Sequence, residues 1–194
     1  MKRIRILLWL LVALALLGSG ALLLWPRPEP QAGRAIATVD FGGPFTLTGA
    51  DGKPFASSRL AGKPHAIFFG FTHCPDVCPT TLARMVRLRD RLGQPFEILF
   101  VTVDPERDGP AEVGKYAELF GAPVIGLTGS PAQIAQIKKS YGIFSQKVPG
   151  DGGNYSVDHT STVLLFDRNG EFSGTIAPEE PDQAALAKLE RITA

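Results

Sequence analysis

Two cysteines four positions apart are the residues of this chain with the most chemistry to offer. They lie in Phe71-Thr72-His73-Cys74-Pro75-Asp76-Val77-Cys78-Pro79-Thr80-Thr81. A spacing of i, i+4 brings both sulfurs to one side of a helical turn, where they can close a disulfide or grip one soft metal ion. Which of these applies depends on a third group. Two thiolates with one imidazole suit copper, because soft sulfur favours Cu(I) and nitrogen helps retain Cu(II). A structural zinc site wants four ligands, and the chain holds only two cysteines and three histidines. As a static disulfide the pair closes a very small ring, and a loop that short contributes little stabilisation.

The three histidines are not equal candidates. His73 adjoins Cys74 and is expected to point away from it, since neighbouring side chains alternate in direction. His65 begins an apolar run and is expected to be structural. His159 follows the Gly-rich stretch Pro149-Gly150-Asp151-Gly152-Gly153-Asn154, which reads as a mobile loop able to carry it to the cysteines. On spacing alone, a ligand and an ordinary loop histidine are equally good readings of His159. Asp76 and Asp158 are expected to tune the electrostatics or docking of such a site without ligating, because carboxylates suit harder metals. Asp104, Arg107 and Asp108 read as a capped loop at a strand end.

The elements that must position these residues alternate in type. Phe45–Thr48, a turn over Ala50–Lys53 and Pro54-Phe55 read as a hairpin. The continuous apolar run His65–Phe71 reads as a strand buried on both faces. A helix is expected from about Pro79, proline being pre-set for a first helical position, and Leu82, Met85, Val86 and Leu92 recur at helical spacing. The cysteines thus fall where a buried strand hands over to a helix, whose N-terminus favours thiolate over thiol. That junction also places them at a turn near the protein's rim. Phe96–Val103 is a second central strand. Pro110–Phe120 is a helix stopped by Gly121, Val124–Leu127 a short strand, and Ser130-Pro131 opens a helix ending near Tyr141-Gly142. Thr162–Asp167, the turn at Asn169-Gly170 and Glu171–Ile176 read as a hairpin, and Pro181 begins a terminal helix. This order argues an α/β sandwich with a mixed central sheet.

Upstream of the domain, Ile6 to Trp25 holds no charged residue and follows Lys2, Arg3 and Arg5. Twenty residues of helix reach about 30 Å, the thickness of a bilayer's hydrocarbon core. Residues 1–25 are therefore expected to form a transmembrane anchor with a cytoplasmic N-terminus, the rest being exported. A signal peptide cleaved after Ser19-Gly20-Ala21 is the alternative. Residues 26–40, with Pro26, Pro28 and Pro30, read as a semi-rigid linker, and 41–194 as one domain. Without the three leading cations, 17 Lys and Arg face 19 Asp and Glu, so no basic surface argues for nucleic acid.

Three segments carry a family resemblance. Gly70–Pro79 contains C-P-x-x-C-P, Val101–Asp108 contains D-P-x-R-D, and Val157-Asp158-His159-Thr160-Ser161 contains D-H-[ST], all in this order. The sequence resembles the SCO/SenC family of copper-handling proteins associated with cytochrome c oxidase assembly. The resemblance implies a thioredoxin-like three-layer fold and Cys74, Cys78 and His159 as ligands of Cu(I) or Cu(II), with the two cysteines forming a redox-active disulfide when oxidised and metal-free. It also implies a metallochaperone facing the periplasm or other extracytoplasmic space, with the CuA-bearing subunit of cytochrome c oxidase and a thiol reductant as partners. The alternative is a membrane-anchored thiol–disulfide oxidoreductase. Against that alternative, thioredoxins use CxxC and a cis-proline before their Thr-and-apolar strand, where this chain has Ser161. A peroxiredoxin-type peroxidase does not fit the order of Thr81 and the prolines around the cysteines.

Overall fold

The continuous run His65-Ala66-Ile67-Phe68-Phe69-Gly70 forms a strand with every residue buried, as its lack of polar alternation dictates. The structure is a computed structural model and describes residues 41–121 and 124–194. The anchor or signal peptide expected over 1–25 and the linker expected over 26–40 lie outside the described residues. Among the described residues no helix is long and apolar enough to cross a membrane.

In chain order the elements are β1 (Thr46–Gly49), β2 (Pro54–Ala56), β3 (His65–Gly70), α1 (Val77–Leu92), β4 (Glu97–Thr102), α2 (Pro110–Glu118) and β5 (Val124–Thr128). There follow α3 (Pro131–Ser140), β6 (Ser145–Pro149), β7 (Tyr155–His159), β8 (Val163–Phe166), β9 (Phe172–Ile176) and α4 (Asp182–Thr193). Seven strands form one sheet in the order β2-β1-β5-β4-β3-β8-β9. The β3–β4 and β4–β5 pairs are parallel and the others antiparallel, so the sheet is mixed. Parallel neighbours need a crossover, and α1 and α2 supply the two required. Phe68, Phe69, Phe100, Ile67 and Leu99 on the two central strands are at most 1% exposed. Burying each contributes roughly 1.5–3 kcal/mol relative to leaving it in water.

The helices obey their local chemistry. Ser130 and Gln133 make a reciprocal capping box at the start of α3, with Pro131 in the first turn. Arg84 of α1 binds the carboxylate of Asp182 and the backbone carbonyls of Ala177, Pro178 and Glu180, tying α4's lead-in to α1.

Two expectations are corrected. The helix after the cysteine loop begins at Val77, not at Pro79, so Cys78 lies in its first turn. The stretch before His159, read above as a mobile loop, is the turn of a hairpin. Strands β6 and β7 pair antiparallel from Ser145↔His159 to Pro149↔Tyr155 as a separate two-stranded ribbon. Gly150 N–H donates to the Asn154 carbonyl at 2.8 Å, and Gly152 and Gly153 take φ of 68° and 81°, which only glycine adopts without cost. The ribbon is hard to read in sequence because it is polar: four of the five β6 residues are exposed and only Val157 of β7 is fully buried.

His65 is structural, as expected, and its burial has a measurable consequence. The ring stacks on Phe166 at 5.0 Å with an 8° interplanar angle, and Nδ1 lies 3.0 Å from the Lys63 carbonyl. Loss of hydration holds its pKa below the ordinary 6.5, against weaker opposing pulls from that carbonyl, Asp167 and Glu97. The unfolded chain therefore takes up a proton at a higher pH than the folded one. Stability from this site is intact above about pH 6.5 and is lost as pH falls below it toward the depressed folded value. Between pH 7 and pH 5 the melting temperature of the parent chain should fall more steeply than that of His65→Gln. Parallel profiles would remove His65 as the cause.

Candidate metal centre

The cysteine loop leaves β3 at Gly70, directly beside the C-terminal end of parallel strand β4, which Gly70 pairs through Thr102. In open α/β sheets the C-terminal ends of parallel strands are where loops gather into sites. A carboxylate from the β4–α2 loop shapes this one. Asp108 is fully buried, and it accepts from Thr72 N–H at 2.9 Å, Thr72 Oγ1 at 2.6 Å and Thr102 Oγ1 at 2.6 Å. Three donors satisfy a buried charge that would otherwise be costly, and they fix the loop two residues before Cys74. Sequence reading grouped Asp108 with its own loop. Its partner Thr72, 36 residues away, was not visible in spacing.

The sulfurs differ in setting. Cys74 is half-buried and Cys78 is completely buried, and both are free thiols. Cys78 therefore does not sit at the rim as expected; its sulfur is part of the core against β3. Gly70 makes room for it, since a Cβ there would lie 2.7 Å from Cys78 Sγ. The expectation that the helix terminus favours thiolate is also overturned for Cys78. Burial pushes its pKa far above the usual thiol value, with smaller upward contributions from Cys74 and Asp108. A backbone hydrogen bond at Phe71 pulls the other way and is outweighed. The Cys78 N–H donates to Cys74 Sγ at 3.4 Å, so the first turn of α1 binds the two residues together.

His159, at the end of β7, completes the group. Its Nε2 is 3.5 Å from Cys78 Sγ, and its Nδ1 is 2.9 Å from the Thr160 carbonyl. A carbonyl only accepts, so Nδ1 carries the proton and Nε2 presents its lone pair to the sulfurs. The ring is held edge-on by Phe71 at 5.8 Å and 89° and by Phe68 at 6.1 Å and 72°. The ligand atoms of Cys74, Cys78 and His159 all lie within 4.8 Å of one another. Two metal–sulfur bonds of about 2.3 Å span about 4.6 Å, so one ion reaches all three donors with little movement. Two sulfurs and one nitrogen, with no fourth His, Cys, Asp or Glu donor in the group among the described residues, suit a soft ion of low coordination number.

The remaining candidates stand outside this group. His73 is exposed; its Nδ1 lies 3.1 Å from Thr72 Oγ1 and 3.6 Å from Asp108. Asp76 is the exposed N-cap residue of α1 and accepts from Thr80 Oγ1 at 3.2 Å. Asp158 is exposed opposite Gln146, because strand alternation turns Tyr155, Val157 and His159 inward and Ser156 and Asp158 outward.

Fold and donors together define the class: a thioredoxin-like α/β domain carrying a Cys2His group at the ends of its parallel strands. The chain belongs to the SCO1/SenC family, whose family model matches residues 33–194. It is 36% identical to mitochondrial protein SCO2 of Saccharomyces cerevisiae, over 92% of this chain and 64% of that one. It is 38% identical to a SCO2-like protein of Rickettsia conorii, over 84% of this chain and 85% of the relative. ScoI of Bradyrhizobium japonicum, solved with copper bound, is 41% identical, with a TM-score of 0.70 over 78% of this chain and 99% of that chain. The chain thus spans just under two thirds of the yeast relative.

Proposed function

We propose that this protein is an extracytoplasmic copper-binding metallochaperone that aids assembly of the CuA centre of cytochrome c oxidase. Copper is its cargo, held by Cys74, Cys78 and His159. The observation that carries this reading is the approach of His159 Nε2 to the buried Cys78 sulfur from 81 residues away, its Nδ1 already engaged. Copper bound to Bradyrhizobium ScoI, and the description of the Sco family as cytochrome c oxidase assembly proteins, support it. The CuA-bearing subunit is the acceptor that the family resemblance implies.

Loading requires both thiols reduced. If the metal-free pair oxidises to a disulfide, a thiol reductant must return two electrons and two protons before copper binds. The uncharged run Ile6–Trp25 behind Lys2, Arg3 and Arg5 supports an anchor over residues 1–25, with 26–40 as spacer and 41–194 as the copper-binding domain outside the cytoplasm. Asp76 and Asp158, both exposed, would tune the electrostatics of the site or its docking to an acceptor without ligating the ion.

The adjacent free thiols also favour a second reading, a thiol–disulfide oxidoreductase acting on partner cysteines. Transfer separates the two. Protein loaded half with Cu(I) and half with Cu(II), incubated with the metal-free, fully reduced CuA-bearing domain, should yield the acceptor's mixed-valence CuA absorption, and copper-free protein should not. Generic disulfides reduced over many turnovers, with no copper passed to the reduced acceptor, would favour the oxidoreductase.

A further inference from the structure

The ribbon that presents His159 is tied to the β4–α2 loop by contacts that touch neither sulfur. Asp104 is 1% exposed, and its carboxylate serves two partners. Oδ2 accepts from Arg107 Nε at 2.5 Å, and Oδ1 accepts from the Tyr155 hydroxyl at 2.9 Å. Arg107 Nη1 donates to the Tyr155 carbonyl at 3.0 Å, and its guanidinium lies 3.7 Å from the centroid of the Tyr155 ring. Arg107 Nη2 is buried with no hydrogen-bond partner among the described residues, so aromatic faces are what the rest of this cation has to rest on. On the neighbouring strand, Lys147 covers the same ring at 4.6 Å and pairs with Glu106 of the loop.

Two routes lead from Arg107 to the imidazole. One runs along β7 from Tyr155 to His159, which face the same way, about 13 Å apart at the rise of an extended strand. The other passes through Phe71: the guanidinium is 5.8 Å from that ring's centroid, and the ring meets His159 edge-on. The ribbon needs such fastening. A two-stranded hairpin is marginal by itself, and this one forms no part of the seven-stranded sheet. Its near end is held by Phe144 and Thr160, where Thr160 N–H donates to the Phe144 carbonyl and Phe144 N–H donates to Thr160 Oγ1. Arg107, Asp104 and Tyr155 hold its far end.

We infer that Arg107, clamped by Asp104 and Tyr155, is a positioning residue for the metal centre, fixing the ribbon so that His159 Nε2 faces the sulfurs. This rests on the copper reading above. An arginine is required because one planar group must hydrogen-bond at its edge to Asp104 and the Tyr155 carbonyl while offering its face to aromatic rings; a lysine keeps the charge but not the fork. The alternative is that these residues merely hold the fold together, and the two roles differ in how copper responds.

The test uses the full chain in Arg107→Lys and Tyr155→Phe forms, each alone and combined with His159→Ala, with Cu(I) and Cu(II) affinities measured by chelator competition. Arg107→Lys should weaken Cu(II) by about ten- to a hundredfold, the range typical of outer-shell partners, with a smaller loss for Tyr155→Phe. Cu(I), held chiefly by two thiolates, should change little. In the His159→Ala background neither substitution should cost further Cu(II) affinity, because the imidazole through which they act is gone. Equal losses with and without His159, equal losses for Cu(I) and Cu(II), or unchanged Cu(II) affinity in both variants would each overturn the inference. Should Arg107→Lys not fold, Tyr155→Phe, which deletes one hydroxyl, decides the matter by the same criteria. A parent chain that binds no copper would sink the copper reading itself. A parent whose Cu(II) affinity falls on His159→Ala but ignores both latch substitutions would sink this inference alone.

Discussion

Cys78→Ala should lower Cu(I) affinity by well over a hundredfold while leaving a folded protein. Outer-shell partners of metal ligands are typically worth ten- to a hundredfold, and a lost thiolate removes the bond itself. Cu(I) prefers soft sulfur, so one thiolate and an imidazole are a poor substitute for the pair. The fold should survive because Cys78 packs as a small apolar residue, fully buried behind Gly70. Removing its sulfur leaves a small cavity at a cost of about 1 kcal/mol, a few degrees in melting temperature for a domain of this size. Cys74→Ala should lose as much copper affinity and less stability, since Cys74 is only half-buried. Chelator competition and thermal unfolding on the same samples check both. Wild-type Cu(I) affinity in either variant would contradict the two-sulfur site.

His159→Ala should separate the two oxidation states. Nitrogen matters most to Cu(II), so its affinity should fall by more than a hundredfold, past the outer-shell range, while Cu(I) loses much less. The cysteines should still oxidise to a disulfide and be re-reduced, because Cys78 N–H, in the first turn of α1, donates to Cys74 Sγ in the loop before it, and neither residue needs anything from β7. Chelator competition in each state, together with alkylation of the thiols before and after oxidation, reads all three quantities. Equal losses for Cu(I) and Cu(II) would mean that the imidazole supports the site only through the fold.

Much of this arrangement was legible in the chain. The unbroken apolar run over β3, the turn between β1 and β2, the Ser130 cap and the Asn169-Gly170 turn are local signals, and each lies where its chemistry requires. The cysteine pair was legible for the same reason, and His159 through its place in the SCO/SenC pattern. What spacing could not convey was burial and partnership across the sheet. The helix N-terminus at Cys78 does favour thiolate, yet the sulfur's position against β3 reverses the balance, and that position depends on a glycine eight residues earlier. The β6–β7 ribbon was missed because an exposed, polar hairpin has almost no hydrophobic pattern. Its turn is glycine-rich, and glycine marks an ordered turn as readily as a flexible loop. Arg107 read as a loop residue because its partners Tyr155 and Phe71 lie 48 and 36 residues away in sequence.

Copper-edge X-ray absorption on the copper-loaded full chain tests the centre most directly, in the parent and in His159→Ala. The expected first shell of the parent is two sulfurs and one imidazole nitrogen around a single copper, with the nitrogen shell alone lost in the variant. A shell with fewer than two sulfurs, or one that stays the same when His159 is removed, would contradict the convergence of Cys74, Cys78 and His159 on one ion.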